Sequence, residues 1–239
     1  MKELVIVTGA SSGIGRELAR RFSAEGHPVL MLARRRELME EMHLPHTMCR
    51  SVDVTDLSAM EAAVREAEAV WGPAGLLVNC AGLMLLGHPE SQDFEEWSRM
   101  IDVNVKGVLA GVKSVLAGMM NRRSGTVINI SSTAGRKTYV NHSVYCGTKF
   151  AVHAMTESLR KEAASHNVRF ITIAPGVVET ALLSHTSDEA IKKDYNVWKE
   201  SIHGGLAPSQ VADCILFAYR MPQDVCVREI VIAKTAQED

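Results

Sequence analysis

Two groups of residues in this chain of 239 are spaced to do chemistry. The first is Tyr145 with Lys149. They stand four apart in a segment of helical spacing, so their side chains share one face. A free tyrosine has a pKa of about 10. A nearby ammonium favours the phenolate and lowers that value. Such a tyrosine works as a general acid or base near neutrality. Spacing alone does not single the pair out, because Tyr195 and Lys199 repeat it. Context does. Upstream of Tyr145 an apolar run, Val127-Ile128-Asn129-Ile130, ends in Ser131-Ser132. The carboxyl end of a parallel strand is where such sheets keep their reacting groups. No comparable run precedes Tyr195, which reads as packing or as facing solvent.

The second group is the stretch VTGASSGIGRELA, with Gly9, Gly13 and Gly15 after the apolar run Leu4-Val5-Ile6-Val7. Glycine admits backbone angles that Cβ forbids and lets another molecule approach the main chain. A helix start presents free N–H groups and the positive end of its dipole, a site for a pyrophosphate. Ser11, Ser12 and Ile14 belong to the same expected contact. The spacing is Gly-x-x-x-Gly-x-Gly rather than Gly-x-Gly-x-x-Gly, and a ligand-free strand-to-helix turn is the alternative. The next strand, Val29-Leu30-Met31-Leu32, ends in Ala33-Arg34-Arg35-Arg36 with no carboxylate at its tip. An acid there would bind the ribose hydroxyl of NAD. Arg34 instead offers a guanidinium that can fork onto a 2′-phosphate, which favours NADP. Arg35 and Arg36 read as a solvated helix start.

These groups need a scaffold, and the chain alternates regularly. Short apolar runs lie at 4–7, 29–32, 76–78, 126–130, 169–173 and 228–232. They are continuous rather than alternating, as expected of strands covered on both faces. Helical spacing fills 16–25, 59–71, 94–120, 144–165 and 209–220. The expectation is an α/β fold: one domain over 1–239, a Rossmann-type doubly wound parallel sheet with helices on both faces. The polar stretch at about 179–206 interrupts the rhythm after a strand. It is expected to be a substrate loop, with Leu182, Leu183, Tyr195 and Trp198 as its apolar lining.

Composition excludes several classes. Hydrophobic residues make up 46% and charged residues 23%, and the net charge is −2. No basic field argues for nucleic acid or an anionic membrane surface. No apolar run approaches the roughly 20 residues of a membrane span, and an expected strand from Leu4 leaves no room for a signal peptide. The five cysteines are scattered without a Cys-x-x-Cys, as in reduced cytoplasmic proteins. His43 and His46 flank Pro45 and find no further ligands, so no metal is expected. Arg136, Lys137 and His142 either flank a pocket for an acidic substrate or form a solvated loop.

Taken in order, the motifs resemble those of the short-chain dehydrogenase/reductase family over essentially the whole length. They are Thr8-Gly9-x-x-x-Gly13-x-Gly15, Asp53-Val54, Asn79-Cys80-Ala81-Gly82, Asn104, Ser132, Tyr145-x-x-x-Lys149, and Pro175-Gly176 with Thr180. The resemblance implies an NADP(H)-dependent oxidoreductase interconverting an alcohol and a carbonyl. It implies Tyr145 as the catalytic acid/base and Lys149 as the residue lowering its pKa and holding the ribose. It implies Ser132 as the substrate-binding hydroxyl and Asn104 as holder of a relay water. Asp53 and Val54 then contact adenine. Asn79, Ala81 and Gly82 run along the cofactor, and Pro175, Gly176, Val178 and Thr180 face the nicotinamide. Cys80 replaces the second Asn of the common Asn-Asn-Ala-Gly. A small hydroxy acid or semialdehyde and a neutral ketone remain alternative substrates, and a non-catalytic NADP sensor is the alternative function. A homodimer or homotetramer is expected.

Overall fold

The computed structural model describes residues 2–238. The chain runs β1 (Leu4–Thr8), α1 (Gly13–Ala24), β2 (Val29–Ala33), α2 (Glu37–Glu40), β3 (Thr47–Ser51), α3 (Leu57–Trp71) and β4 (Ala74–Asn79). It continues through α4 (Phe94–Ile101), α5 (Gly107–Arg122), β5 (Gly125–Ile130), α6 (Ser143–Ala163), β6 (Val168–Pro175), α7 (Glu189–Ser201), α8 (Pro208–Arg220) and β7 (Glu229–Ile232). The strands form one sheet in the order β3-β2-β1-β4-β5-β6-β7, with every neighbouring pair parallel. This is one doubly wound α/β domain. Strand order reverses between β1 and β4, and the crevice beyond their carboxyl ends is the natural ligand site of such a sheet.

Burial on both faces explains the continuous apolar runs. Along a strand successive side chains alternate between faces. Val5, Val7 and Met31 therefore pack under α1 and α8, against Leu18, Phe22, Val211 and Ile215. Leu4, Ile6 and Leu30 pack on the other face, against Met60 and Val64 of α3 and Val112 and Val115 of α5. All of these residues are essentially inaccessible to water.

The expected elements are present, with four differences. β3 was not expected. Its sequence, TMCRS, is mixed in polarity because it is an edge strand and mostly half-buried. α2 is a single short helical turn that periodicity does not register. The segment at 94–120 is not one uniform α-helix, since residues Asp102–Lys106 form a π-helical turn between α4 and α5. Such turns recur at functional sites. The whole helical run Phe94–Arg122 has mean hydropathy 1.3 over its most apolar stretch and meets the length and composition of a membrane span. This corrects the expectation that no run would. Here Val112, Val115 and Met119 are buried against the sheet and α3.

Arg169 on β6 is buried and closes the end of α8. Its guanidinium donates to Thr126 Oγ1 (2.9 Å) and to the carbonyls of Tyr219 (2.9 Å) and Met221 (2.8 Å). A helix end leaves such carbonyls without intrahelical donors. Arg169→Met keeps much of the volume but orphans them. It is expected to lower unfolding free energy by about 3 kcal/mol, read from urea denaturation. A loss below about 1 kcal/mol would show that these bonds contribute little.

Candidate active site

A cavity of about 800 Å³ lies along the carboxyl ends of the strands. Its first end is the turn between β1 and α1, where Gly9, Ser11, Ser12, Gly13 and Ile14 line the wall. Gly9 has φ +66°, and a Cβ there would come within 2.9 Å of the Ala81 backbone. A Cβ on Gly15 would lie 2.5 Å from the Gly9 carbonyl oxygen. The turn is therefore folded back on itself and pressed against the loop after β4. Thr8 Oγ1 fixes that contact by accepting from the amides of Cys80 (3.0 Å) and Ala81 (3.1 Å).

Beside the turn, the tip of β2 carries Ala33, Arg34 and Arg35 on the wall. Arg35 is exposed, as expected, and its guanidinium also reaches Ser11 Oγ at 3.5 Å. Arg36 pairs with Glu40 and stays off the wall. Asp53 accepts from the Thr55 amide (3.0 Å) and hydroxyl (2.8 Å). That backbone bond, with the Thr55 hydroxyl and the charge of Arg34, holds its carboxyl below the usual range against partial burial. Val54 lies next to it on the wall.

At the other end, α6 delivers Tyr145 and Lys149, both buried, onto the same cavity. Ser132 ends the segment after β5. Its Oγ accepts from the Ala134 amide (3.1 Å), and its hydroxyl favours the ionised form of the Tyr145 phenol. Ser131 turns toward α6 instead. It meets Lys149 O (3.2 Å) and His153 Nδ1 (2.9 Å), and His153 in turn meets Glu229 (3.0 Å). Lys149 Nζ donates to Ile130 O (3.1 Å) and lies 5.7 Å from the centroid of the Tyr145 ring. Pro175, Gly176, Val178 and Thr180 line the wall beyond β6. A basic turn, a bared backbone and a tyrosine with a hydroxyl and an ammonium beside it thus share one cavity.

Residues 3–190 match the family described as short chain dehydrogenase. An uncharacterized oxidoreductase of Staphylococcus saprophyticus is 37% identical over 241 residues, covering 98% of this chain and 97% of that one. The chain belongs to the short-chain dehydrogenase family. Glycine betaine reductase of Emericella nidulans is 38% identical over 238 residues, which are 96% of this chain but 18% of that much longer protein. Among solved structures, the closed form of serine dehydrogenase complexed with NADP+ gives a TM-score of 0.90 at 31% identity, over 99% of this chain and 96% of that one. As a member of this family the chain is an oxidoreductase.

Not every expected residue reaches the cavity wall. Gly15, Asn79 and Asn104 lie behind it. Asn79 bonds Asn129 Oδ1 (2.9 Å) and Val108 O (3.3 Å). Asn104, on the π-helical turn, clamps Leu83 by its amide and carbonyl (both 2.8 Å) and donates to Thr148 (3.1 Å). Asn104 thus braces the loop just after Ala81 and Gly82, while Asn79 ties β4 to β5 and α5. Of the three basic residues left open, only His142 lines the cavity. Arg136 pairs with Glu229 (2.7 Å), and Lys137 is exposed and off the wall. Sequence reasoning missed Tyr139 and Gln237. Gln237 accepts from the Val177 amide (3.1 Å), a contact across 60 residues that no local pattern announces.

The expected lowering of the Tyr145 pKa is also corrected. Burial pushes the phenol up to about 12, with the Ser132 hydroxyl pulling the other way. Burial pulls the Lys149 ammonium down from 10.5 to about 8. Both charged forms lose water, and Lys149 faces the ring rather than bonding the hydroxyl, so desolvation wins over attraction. Because the pKa of Lys149 is depressed, its charge is present below about pH 8 and lost above it. Dinucleotide affinity of the free protein is therefore expected to weaken between about pH 7 and about pH 9, in a fluorescence titration. Lys149→Arg, whose guanidinium stays charged, should flatten that dependence.

Proposed function

We propose that this protein is an NADP(H)-dependent oxidoreductase interconverting an alcohol and a carbonyl, with Tyr145 as general acid/base. The observation that carries this is the placement of buried Tyr145, with Ser132 and Lys149, in the cavity whose other end is the glycine turn with Arg34 and Arg35. The residues fit a phosphorylated dinucleotide. The Gly9 and Gly15 backbone leaves no room for a Cβ, and β2 ends in arginines rather than a carboxylate. The similar serine dehydrogenase complexed with NADP+ supports the same choice.

The bound nicotinamide would supply or accept the hydride. The chain's own residues do the rest. Ser132 and Tyr145 hydrogen-bond the substrate oxygen, where negative charge grows during reduction. Donors aimed at developing charge are commonly the largest catalytic contribution. Tyr145 gives the proton. The phenol is protonated at neutral pH, so a proton is available there for reduction. Lys149 holds the ribose, and Asn104 keeps the loop around Leu83 in place. The segment at 179–206 closes over the substrate end, where Leu182, Leu183, Tyr195 and Trp198 line the cavity. Free thiols at all five cysteines support a cytoplasmic setting. Exposed Leu109 on α5 and Phe150 on α6 support a homodimer or homotetramer.

The test is oxidation of NADPH, and separately NADH, over a panel of carbonyls. NADPH is expected to be preferred, and Tyr145→Phe to lower turnover by about a thousandfold with NADPH affinity retained. Arg34→Ala should weaken NADPH but not NADH. Tight NADPH binding without turnover of any carbonyl, or a Tyr145→Phe protein near full rate, overturns the enzyme reading or its assignment of Tyr145.

A further inference from the structure

The substrate end of the cavity is walled by aromatic rings from two elements. Tyr139 and His142 come from the loop before α6, and Tyr195 and Trp198 come from α7. His142 sits 5.6 Å from Tyr139, 6.2 Å from Tyr195 and 6.3 Å from Tyr145, centroid to centroid. Tyr195 and Trp198 meet edge to face at 5.3 Å. The row of rings ends on Tyr145, so whatever these rings hold lies within a few bonds of the carbonyl that Tyr145 would protonate.

We propose that this ring cluster is a cage for a methylated ammonium group, and that the substrate is a small aldehyde or ketone carrying such a cation next to the reacting carbon. The proposal rests on the alcohol/carbonyl reading above and adds the class of substrate. Ring faces attract a cation within about 6 Å of the centroid, tryptophan and tyrosine most strongly. Ile191, Asp194, Tyr195 and Trp198 share one face of α7 and all line the cavity. That face offers the Asp194 carboxylate beside the rings, together with one cation, Lys199. Arg99 also lines the cavity, and Lys149 at the Tyr145 end donates to Ile130 O (3.1 Å). Lys199 is tied to Glu179 at 3.1 Å, and Arg136 to Glu229 at 2.7 Å. Burial pulls His142 below its usual value, so it stays uncharged at neutral pH and does not repel a cation. Leu182, Leu183 and Ile191 complete the wall. A primary ammonium would bring N–H donors to apolar surroundings, at a desolvation cost. A fully methylated one has no N–H to satisfy and presents only polarised methyl groups to the rings.

The test compares two aldehydes of the same shape, trimethylammonioacetaldehyde and its neutral isostere tert-butylacetaldehyde, with NADPH. The expected kcat/KM ratio favours the cation by about tenfold. Trp198→Leu and Tyr195→Leu remove ring faces and keep apolar volume, and each should bring the ratio toward one. The ratio is taken on a single preparation, so a partly unfolded variant does not distort it. A ratio of one in the starting protein, or one unchanged in both variants, overturns the cage. If neither aldehyde is reduced while other carbonyls are, the cage falls and the oxidoreductase reading stands. If no carbonyl is reduced, the oxidoreductase reading falls with it.

Discussion

The site depends on one hydroxyl. Thr8 Oγ1, buried at the end of β1, accepts from two successive amides just past β4. Strand order reverses between those two strands, so their chains diverge and open a crevice. Without a tie, each loop would be free to settle separately. The hydroxyl sets the glycine turn against Ala81, at a distance where even a Cβ on Gly9 would collide. Cofactor turn and cofactor wall thereby become one rigid surface, and the positions of Gly82 and of the Leu83 loop follow from it.

A second layer of buried polar groups extends that tie toward the chemistry. Polar side chains buried in a sheet covered on both faces are mostly hydrogen-bonded. Asn129 on β5 links Asn79 to Thr156 on α6 (2.9 Å each), and Asn104 links Leu83 to Thr148. Strand, loop and helix are joined by amides that never face the cavity. These bonds fix the height of α6 against the sheet, and hence where Tyr145 and Lys149 stand relative to Ser132. A side chain recognised by its motif thus lies behind the wall, bonded to loop and helix.

The sheet was legible because its strands carry uninterrupted apolar runs, and the glycine turn because it follows one. Tyr145 was separable from Tyr195 only by the strand before it, which is a statement about topology rather than about spacing. What stayed illegible has a common cause. β3 lies at an edge, where burial no longer dictates composition. The direction of Arg35 toward the cavity, and of Arg136 and Lys137 away from it, depends on partners distant in sequence: Ser11, Glu229 and solvent. Gln237 reaches the wall through a contact with Val177. Periodicity reports which face of an element is buried. It does not report which charged groups find one another across the fold.

The titration behaviour follows from the same burial. A tyrosine and a lysine side by side suggest mutual stabilisation of phenolate and ammonium, and in water the pair would shift that way. Inside this cavity each charged form loses its hydration, and the ammonium lies over the ring instead of at the oxygen. The phenol moves up and the ammonium moves down. Under the proposed reaction, such a site would hold its proton on Tyr145 until charge develops on the carbonyl oxygen beside it. The desolvation that opposes an isolated phenolate also strengthens every hydrogen bond to that developing charge. A low-polarity wall of Tyr139, His142, Tyr195 and Trp198 serves both ends of this arrangement. It keeps water from the phenol, and it offers a substrate cation ring faces in place of hydration.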